Sequence, residues 1–291
     1  MHQIVQPTYC IKDVDYNELN DPGKKFLSIE LSLGGFSYCI LDTDRFRYVA
    51  LESYDTAEQT RDYHVLSHAL ETFVKENKAL TGSYQRISLA FNHPMVTLVP
   101  DELFSHSQKK KYVDFNTYPQ DEYELRVDKL NNLSAHALYP FPKVLNQKIN
   151  FLFPGCRVRH TSTCLIENIL YMVRYGRVSS QLVLHVQKDH FEILVFDGEM
   201  LSFYNSFGYQ TWDDLFYYLF YVLEQLGLQA ENLDVMLYGE VGIDTEFYRK
   251  VRLYFKTFSF GPRNDLYKYS VSFDDIPHHY FYNLLNINAC G

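Results

Sequence analysis

The sequence predicts a two-lobed α/β protein in which one β-β-β-α-β unit occurs twice. Three observations carry this expectation. A series of short alternating strands separated by tight turns begins at Phe26, and a second begins at Leu182. Each series is followed by one helix and then a fourth strand. The two hairpins also match without a gap. Phe36 and Phe191 lie 155 positions apart (191 − 36), and the same offset pairs Leu31 with Val186, Ile40 with Val195, Asp42 with Asp197 and Tyr48 with Phe203. Side-chain class matches better than identity, which is what an old duplication leaves.

In chain order, residues 1–25 are polar and close on the turn signal Asn20-Asp21-Pro22-Gly23. Apolar and polar residues alternate over 27–33, the period of a half-buried strand. Gly34-Gly35 supplies a hairpin turn, residues 36–41 return, and Asp42-Thr43-Asp44 leads into a third strand over 46–54. Asp55-Thr56-Ala57-Glu58 has the form of a helix cap. The helix it predicts runs to about Asn77 with Val65, Leu66, Ala69, Leu70, Phe73 and Val74 on one face, and 87–91 is the fourth strand. In the second copy the three strands are 182–186, 191–196 and 200–204, turned at Gln187-Lys188-Asp189-His190 and Asp197-Gly198-Glu199. Thr211 caps a helix with an acidic first turn, Gly227 stops it, and 233–237 is the fourth strand.

Between the copies, 122–127 and 135–139 read as strands, and 142–152 reads as a helix with Pro142 at its first position. A strand over 156–160 and a helix over 163–175 follow. Beyond the second copy, 245–255 is helical, 266–273 extended and 277–286 a final helix. The expected lobes are 1–176 and 177–291, the final helix being a candidate to pack back on the first.

Composition narrows the function classes. At 46% hydrophobic and 22% charged residues the chain is a globular one. Its formal charge of −9 repels nucleic-acid phosphates and anionic lipid, so a nucleic-acid partner is not expected. Lys109-Lys110-Lys111 reads as a solvated basic face. No apolar run approaches the roughly 20 residues a membrane span needs, and the first residues lack a secretory pattern. Five scattered cysteines without a CxxC pair fit reduced thiols, and the expected compartment is the cytoplasm. Cys156, His160 and Cys164 recur every four residues, but a strand end followed by Thr161-Ser162-Thr163 as a cap sends them apart, so no metal site is expected. Tyrosine is abundant at 25 residues. The helix carrying Phe216, Tyr217, Tyr218, Phe220 and Tyr221 is apolar nearly all round and needs cover on several sides. No GxSxG, P-loop, HExxH or GxGxxG pattern is present, so no catalytic residue is nominated.

Paired units with hairpins so placed resemble the actin-like ATPase superfamily of sugar kinases, heat-shock chaperones and actin. The chain is similar to an uncharacterised bacterial family of unknown function within it. It is similar, more loosely, to the cytoplasmic actin-like proteins of type IV pilus and type II secretion assembly. The resemblance spans most of residues 26–260 and implies an ATP site with one phosphate hairpin from each copy. Relatives carry Asp-x-Gly in the first hairpin. Here the stretch is Glu30-Leu31-Ser32-Leu33-Gly34-Gly35, with Glu30 in the place of the Asp and Ser32 in that of the first Gly. The second hairpin, Asp-x-Gly-Gly-Gly-Thr in relatives, is His185-Val186-Gln187-Lys188-Asp189-His190, which has no glycine. The adenosine loop corresponds to Leu237-Tyr238-Gly239-Glu240-Val241-Gly242. The cofactor-binding residues the resemblance nominates are therefore Glu30, Gly34, Gly35, Gly239 and Gly242. Without bare backbone in the second hairpin, the expected function is a non-catalytic interaction or assembly module with a protein partner and no cofactor. The alternative is an ATP-binding, ATP-hydrolysing or phosphotransfer protein, using magnesium and atypical phosphate loops.

Overall fold

The computed structural model describes residues 7–14, 16, 24–55, 62–114, 122–243 and 245–290. The chain divides into two compact units. One comprises Met1–Leu165, Asn264–Asp275 and Asn283–Gly291; the other comprises Ile166–Arg263 and Ile276–Tyr282.

The first unit opens with β1 (Tyr9–Lys12), β2 (Lys25–Ser32), β3 (Gly35–Asp42), β4 (Arg47–Asp55), α1 (Tyr63–Glu76) and β5 (Arg86–Phe91). Then come β6 (Thr97–Pro100), α2 (Lys109–Asp114), β7 (Tyr123–Leu130), β8 (Ala135–Pro142), α3 (Lys143–Leu152) and β9 (Arg157–His160). Its main sheet has the order β1-β4-β3-β2-β5-β9, and β6-β8-β7 form a separate antiparallel sheet. Leu27, Ile29 and Leu31 of β2 are fully buried in one core with Leu66 and Leu70 of α1 and Leu145 and Ile149 of α3. Each such side chain contributes about 1.5–3 kcal/mol of transfer free energy.

The helix α4 (Thr161–Arg174) carries the chain into the second unit. There β10 (Leu182–Val186), β11 (His190–Asp197), β12 (Met200–Gly208), α5 (Trp212–Gln225), β13 (Asp234–Gly239), α6 (Glu246–Tyr254) and β14 (Thr257–Phe260) follow in turn. The sheet order is β12-β11-β10-β13-β14. Its core joins Leu182, Leu184 and Val186 to Leu215, Leu219 and Leu223 of α5. Finally β15 (Lys268–Tyr269) pairs in parallel with β4, and α7 (Tyr282–Asn286) closes the regular structure.

The two sheets repeat one design. The path β4-β3-β2-β5-β9 in the first unit is β12-β11-β10-β13-β14 in the second, with two antiparallel pairs followed by two parallel pairs in both. A register shift interrupts the outer hairpin at Ile40/Leu41 in one unit and at Val195/Phe196 in the other, again 155 apart (195 − 40). A β-bulge retained at one position is a specific inheritance, because each bulge inserts a single residue into a ladder.

Several boundaries differ from expectation for identifiable reasons. The turn at 20–23 and the cap residues 56–58 lie outside the described residues. The helix α1 is capped by Asp62, whose side chain accepts the His64 N–H at 2.7 Å. It buries Tyr63, Leu66, Ser67, Leu70 and Val74, so Val65 and Ala69 face solvent rather than the core. Pro142 is the N-cap of α3 and precedes its first turn. Thr161 and Ser162 begin α4 instead of capping it, because the Asp128 carboxylate takes the His160 N–H at 2.8 Å and the Thr163 hydroxyl at 2.9 Å. The final helix is one short turn, residues 278–281 forming turns before it. Strands β1, β6 and β14 carry no local periodic signal long enough to predict them.

Candidate functional site

The first-unit hairpin is a serine-stabilised turn. Gly34 N–H donates to Ser32 Oγ at 3.1 Å, and Ser32 Oγ donates to the Gly35 carbonyl at 3.4 Å, a local bond of the kind that stabilises tight turns. Gly35 has a packing reason to be glycine, since a Cβ there would stand 2.5 Å from the Tyr54 carbonyl oxygen of β4. Glu30 is half-buried and accepts from Asn92 Nδ2 at 3.1 Å, while Asn92 N–H donates to the Leu31 carbonyl at 2.8 Å. The Thr161 hydroxyl reaches Asn92 Oδ1 at 3.4 Å. Glu30 is thus held at the strand end by an Asn-Thr pair.

The second-unit hairpin is built from different chemistry. His185, which holds the position of Glu30, is buried and donates from Nδ1 to Glu192 Oε2 at 2.8 Å. Glu192 is buried too, and its other oxygen accepts from the Tyr204 hydroxyl at 2.7 Å. Gln187 Nε2 lies 3.1 Å from His185 Nε2. Because the carboxylate only accepts, Nδ1 carries the proton and Nε2 receives Gln187. The main chain of the bend is engaged as well. Gln187 N–H donates to the His190 carbonyl at 2.9 Å, Tyr209 N–H donates to the Asp189 carbonyl at 3.1 Å, and the Tyr209 hydroxyl donates to the Gln187 carbonyl at 2.5 Å. Asp189 accepts from His190 Nδ1 at 2.6 Å.

A third feature, also within the second unit, follows β13. Gly239 has φ +99°, and a Cβ there would stand 1.9 Å from the Val186 carbonyl oxygen, so glycine is demanded by close backbone approach. Gly261 makes room for the buried Tyr238 ring, which a Cβ would meet at 2.0 Å. Gly242 differs. Its Cβ would find only ordinary contact, with Tyr280 Oη at 3.5 Å and Thr245 Cγ2 at 4.0 Å. Gly242 lines a cavity of about 620 Å³ with Ile243, Thr245, Phe260, Pro262 and His279. Thr245 caps α6, its hydroxyl accepting from Tyr248 N–H at 3.2 Å. His279 stacks on Phe260 with ring centroids 4.0 Å apart, and its Nε2–H donates to the Val241 carbonyl at 2.8 Å. Burial holds the His279 imidazole below its ordinary pKa, against the raising effect of that bond, so the ring is neutral at pH 7.

The five nominated residues therefore fall into two groups, each in its own unit: Glu30, Gly34 and Gly35 at one hairpin, Gly239 and Gly242 at the cavity. The polar residues of the second hairpin partner each other, and His279 joins the cavity from a segment far along the chain. His278, its neighbour, is exposed. Among the described residues no three His, Cys, Asp or Glu side chains gather as a metal set. Cys156 contacts the Arg157 carbonyl, whereas Cys164 is fully buried beside Cys290.

The repeated sheets define the class, an actin-like ATPase fold, and solved structures agree. The chain is similar to a Bacteroides thetaiotaomicron protein with an actin-like ATPase fold and unknown function, with TM-score 0.72, 23% identity, and 82% of this chain and 91% of that chain covered. It is similar to the PilM-PilN type IV pilus biogenesis complex, with TM-score 0.64, 10% identity, and 93% and 99% covered. It is also similar to the ethanolamine utilization protein EutJ from Carboxydothermus hydrogenoformans, with TM-score 0.50, 8% identity, and 94% and 92% covered. The chain belongs to the family described as "Protein of unknown function (DUF3822)", which matches residues 15–258. No curated protein matches it. Among the described residues no helix is long and apolar enough to cross a membrane.

Proposed function

We propose that this protein is an assembly module, binding another protein on an actin-like scaffold without turning over ATP. The second hairpin carries this reading. A phosphate-binding hairpin works by offering bare N–H groups to oxygen anions. Gln187 to His190 offers side chains, an acidic residue and a Gln187 N–H already given to the His190 carbonyl, while Tyr209 holds the Gln187 and Asp189 carbonyls. The likeness to a type IV pilus biogenesis complex supports the same direction. The test is steady-state hydrolysis of magnesium ATP by the full chain. Turnover at ordinary enzymatic rates of about 1 per second or more would end this reading.

Gly242 favours a second reading, in which the chain takes up a nucleotide. No neighbour forbids a side chain there, so its absence serves to keep the cavity open. Gly239 and Gly242 would then bound a nucleoside within the second unit. Binding at 100 times Kd raises stability by about 2.7 kcal/mol. Thermal titration with millimolar magnesium ATP or ADP therefore separates the two readings, an unmoved midpoint counting against nucleotide.

A further inference from the structure

The duplication shows what covers one sheet edge, whereas among the described residues no strand pairs with its counterpart. In the first unit, β1 pairs antiparallel with Ala50 to Ser53 of β4, and β15 pairs with Arg47 and Tyr48. Thr8 N–H donates to the Ser53 carbonyl and Asp13 N–H to the Val49 carbonyl, both at 2.8 Å. Lys12 is locked on by an ion pair to buried Glu52 at 2.9 Å. Cross-strand register makes β12 the counterpart of β4: Ile40 faces Ala50 and Val195 faces Phe203, while Tyr38 faces Glu52 and Ile193 faces Asn205. Among the described residues no strand lies on the outer side of β12.

This edge also lacks the usual protections. Exposed edge strands are normally blunted by charge, by proline or by a covering element. No charged residue and no proline occurs from Met200 to Trp212, whereas β4 carries Arg47, Glu52 and Asp55. Ser206 corresponds to Ser53, whose main chain faces β1. Its N–H makes a bond to the adjacent Asn205 side chain at 2.9 Å, a local substitute that an incoming carbonyl displaces at little cost. Beside the strand runs an aromatic ledge. Phe207 stacks on Tyr218 at 5.2 Å, Tyr218 meets Tyr217 at 5.4 Å, and Tyr217 and Tyr221 are 66% and 52% exposed. The opposite edge, β14, is short and runs directly into Gly261-Pro262.

We propose that β12 is a docking edge that takes an extended, uncharged, alternately apolar segment of a partner protein as an added strand. Main-chain hydrogen bonds supply affinity, and every second apolar side chain of the guest lies against the Phe207–Tyr218–Tyr217 ledge. The occupant is an extended strand because that is what the equivalent edge holds in β1. It is uncharged because neither the edge nor the ledge offers a charge to pair.

This inference rests on the assembly reading, and its test is independent of nucleotide. The probe is an end-blocked, fluorescein-labelled octapeptide of alternating Thr and Val, titrated into the full chain by anisotropy, with amide exchange located by mass spectrometry. Saturable binding with slowed exchange in β12 is the expected result. Ser206→Pro removes the outward N–H and should weaken the probe about tenfold. Asn205→Ala removes the local competitor and should tighten it. Asn205→Lys serves as the blocking variant should Ser206→Pro lose its circular dichroism signature. The proposal is overturned by absent binding, by binding indifferent to these variants, or by protection at β14. It is overturned equally by a dimer in sedimentation that Ser206→Pro dissolves, which would make the occupant a second copy. ATP turnover with intact β12 protection would defeat the assembly reading alone.

Discussion

The hairpins at Ser32–Gly35 and Gln187–His190 descend from one pattern and solve the same turn in opposite ways. The first keeps glycines and closes with a serine hydroxyl. The second fills the turn and underpins it with the buried His185–Glu192 pair and Tyr204. Strand order and bulge position are unchanged between them. A sheet fixes its topology through many main-chain bonds, so the residues at a turn are free to diverge while the frame persists.

The largest test of this contrast is the buried pair. Glu192→Leu strands the His185 Nδ1–H and the Tyr204 hydroxyl, two buried donors at about 1–3 kcal/mol each, and should cost about 2–5 kcal/mol in urea unfolding. Ser37→Ala at the matching first-unit position, where Ser37 bonds Ser53 at 2.8 Å, should cost about 1 kcal/mol. Equal losses would mean that the two hairpins are supported alike. Next comes Gly239→Ala, which meets the Val186 carbonyl in a left-handed backbone and should cost about 3 kcal/mol.

Acid should separate the units more gently. His279 is held below the ordinary imidazole value, so its contribution is complete above pH ~6.5 and shrinks as pH falls, because the unfolded chain protonates first. Burial alone would raise Glu52, but bonds from Tyr54, Lys12 and Tyr38 outweigh it and hold its carboxyl low. Its contribution survives to about pH 4.3 and is lost only as pH drops through its folded value. Amide exchange at pH 5 should therefore loosen β13 before β1, and His279→Gln should abolish the difference. The smallest effect is Gly242→Ala, which should change stability by no more than about 0.5 kcal/mol while narrowing the cavity. A loss as large as that of Gly239→Ala would show that Gly242 is a packing glycine after all.

Much of the frame was legible in the amino-acid order. Alternation and turn residues locate the two hairpins, and a gapless offset joins them. The face of α1 was misjudged because Val65 and Ala69 match the apolar period, yet Tyr63 and Ser67 take the buried positions. Strand β1 escaped notice because four residues pair with β4 some forty positions away, and nothing local marks that. At the candidate site the nominated glycines were visible, but sequence alone does not tell a glycine required by backbone approach, as at Gly35 and Gly239, from one that is not, as at Gly242. His279 was missed as a cavity wall because it comes from a distant segment. The His185–Glu192 pair was missed because cross-strand facing depends on register.

The first unit is assembled from segments that lie far apart along the chain. Tyr48 donates to the Leu285 carbonyl at 2.6 Å, the Cys39 thiol lies 3.6 Å from the Leu284 carbonyl, and β15 lies along β4. On a ribosome, synthesis through Leu285 must therefore precede completion of this unit, while the strands and helices over 182–260 are already in hand. Of the two units, the one begun first is the one that waits, and a nascent chain stalled near residue 263 would hold β4 without β15 and the Leu285 carbonyl.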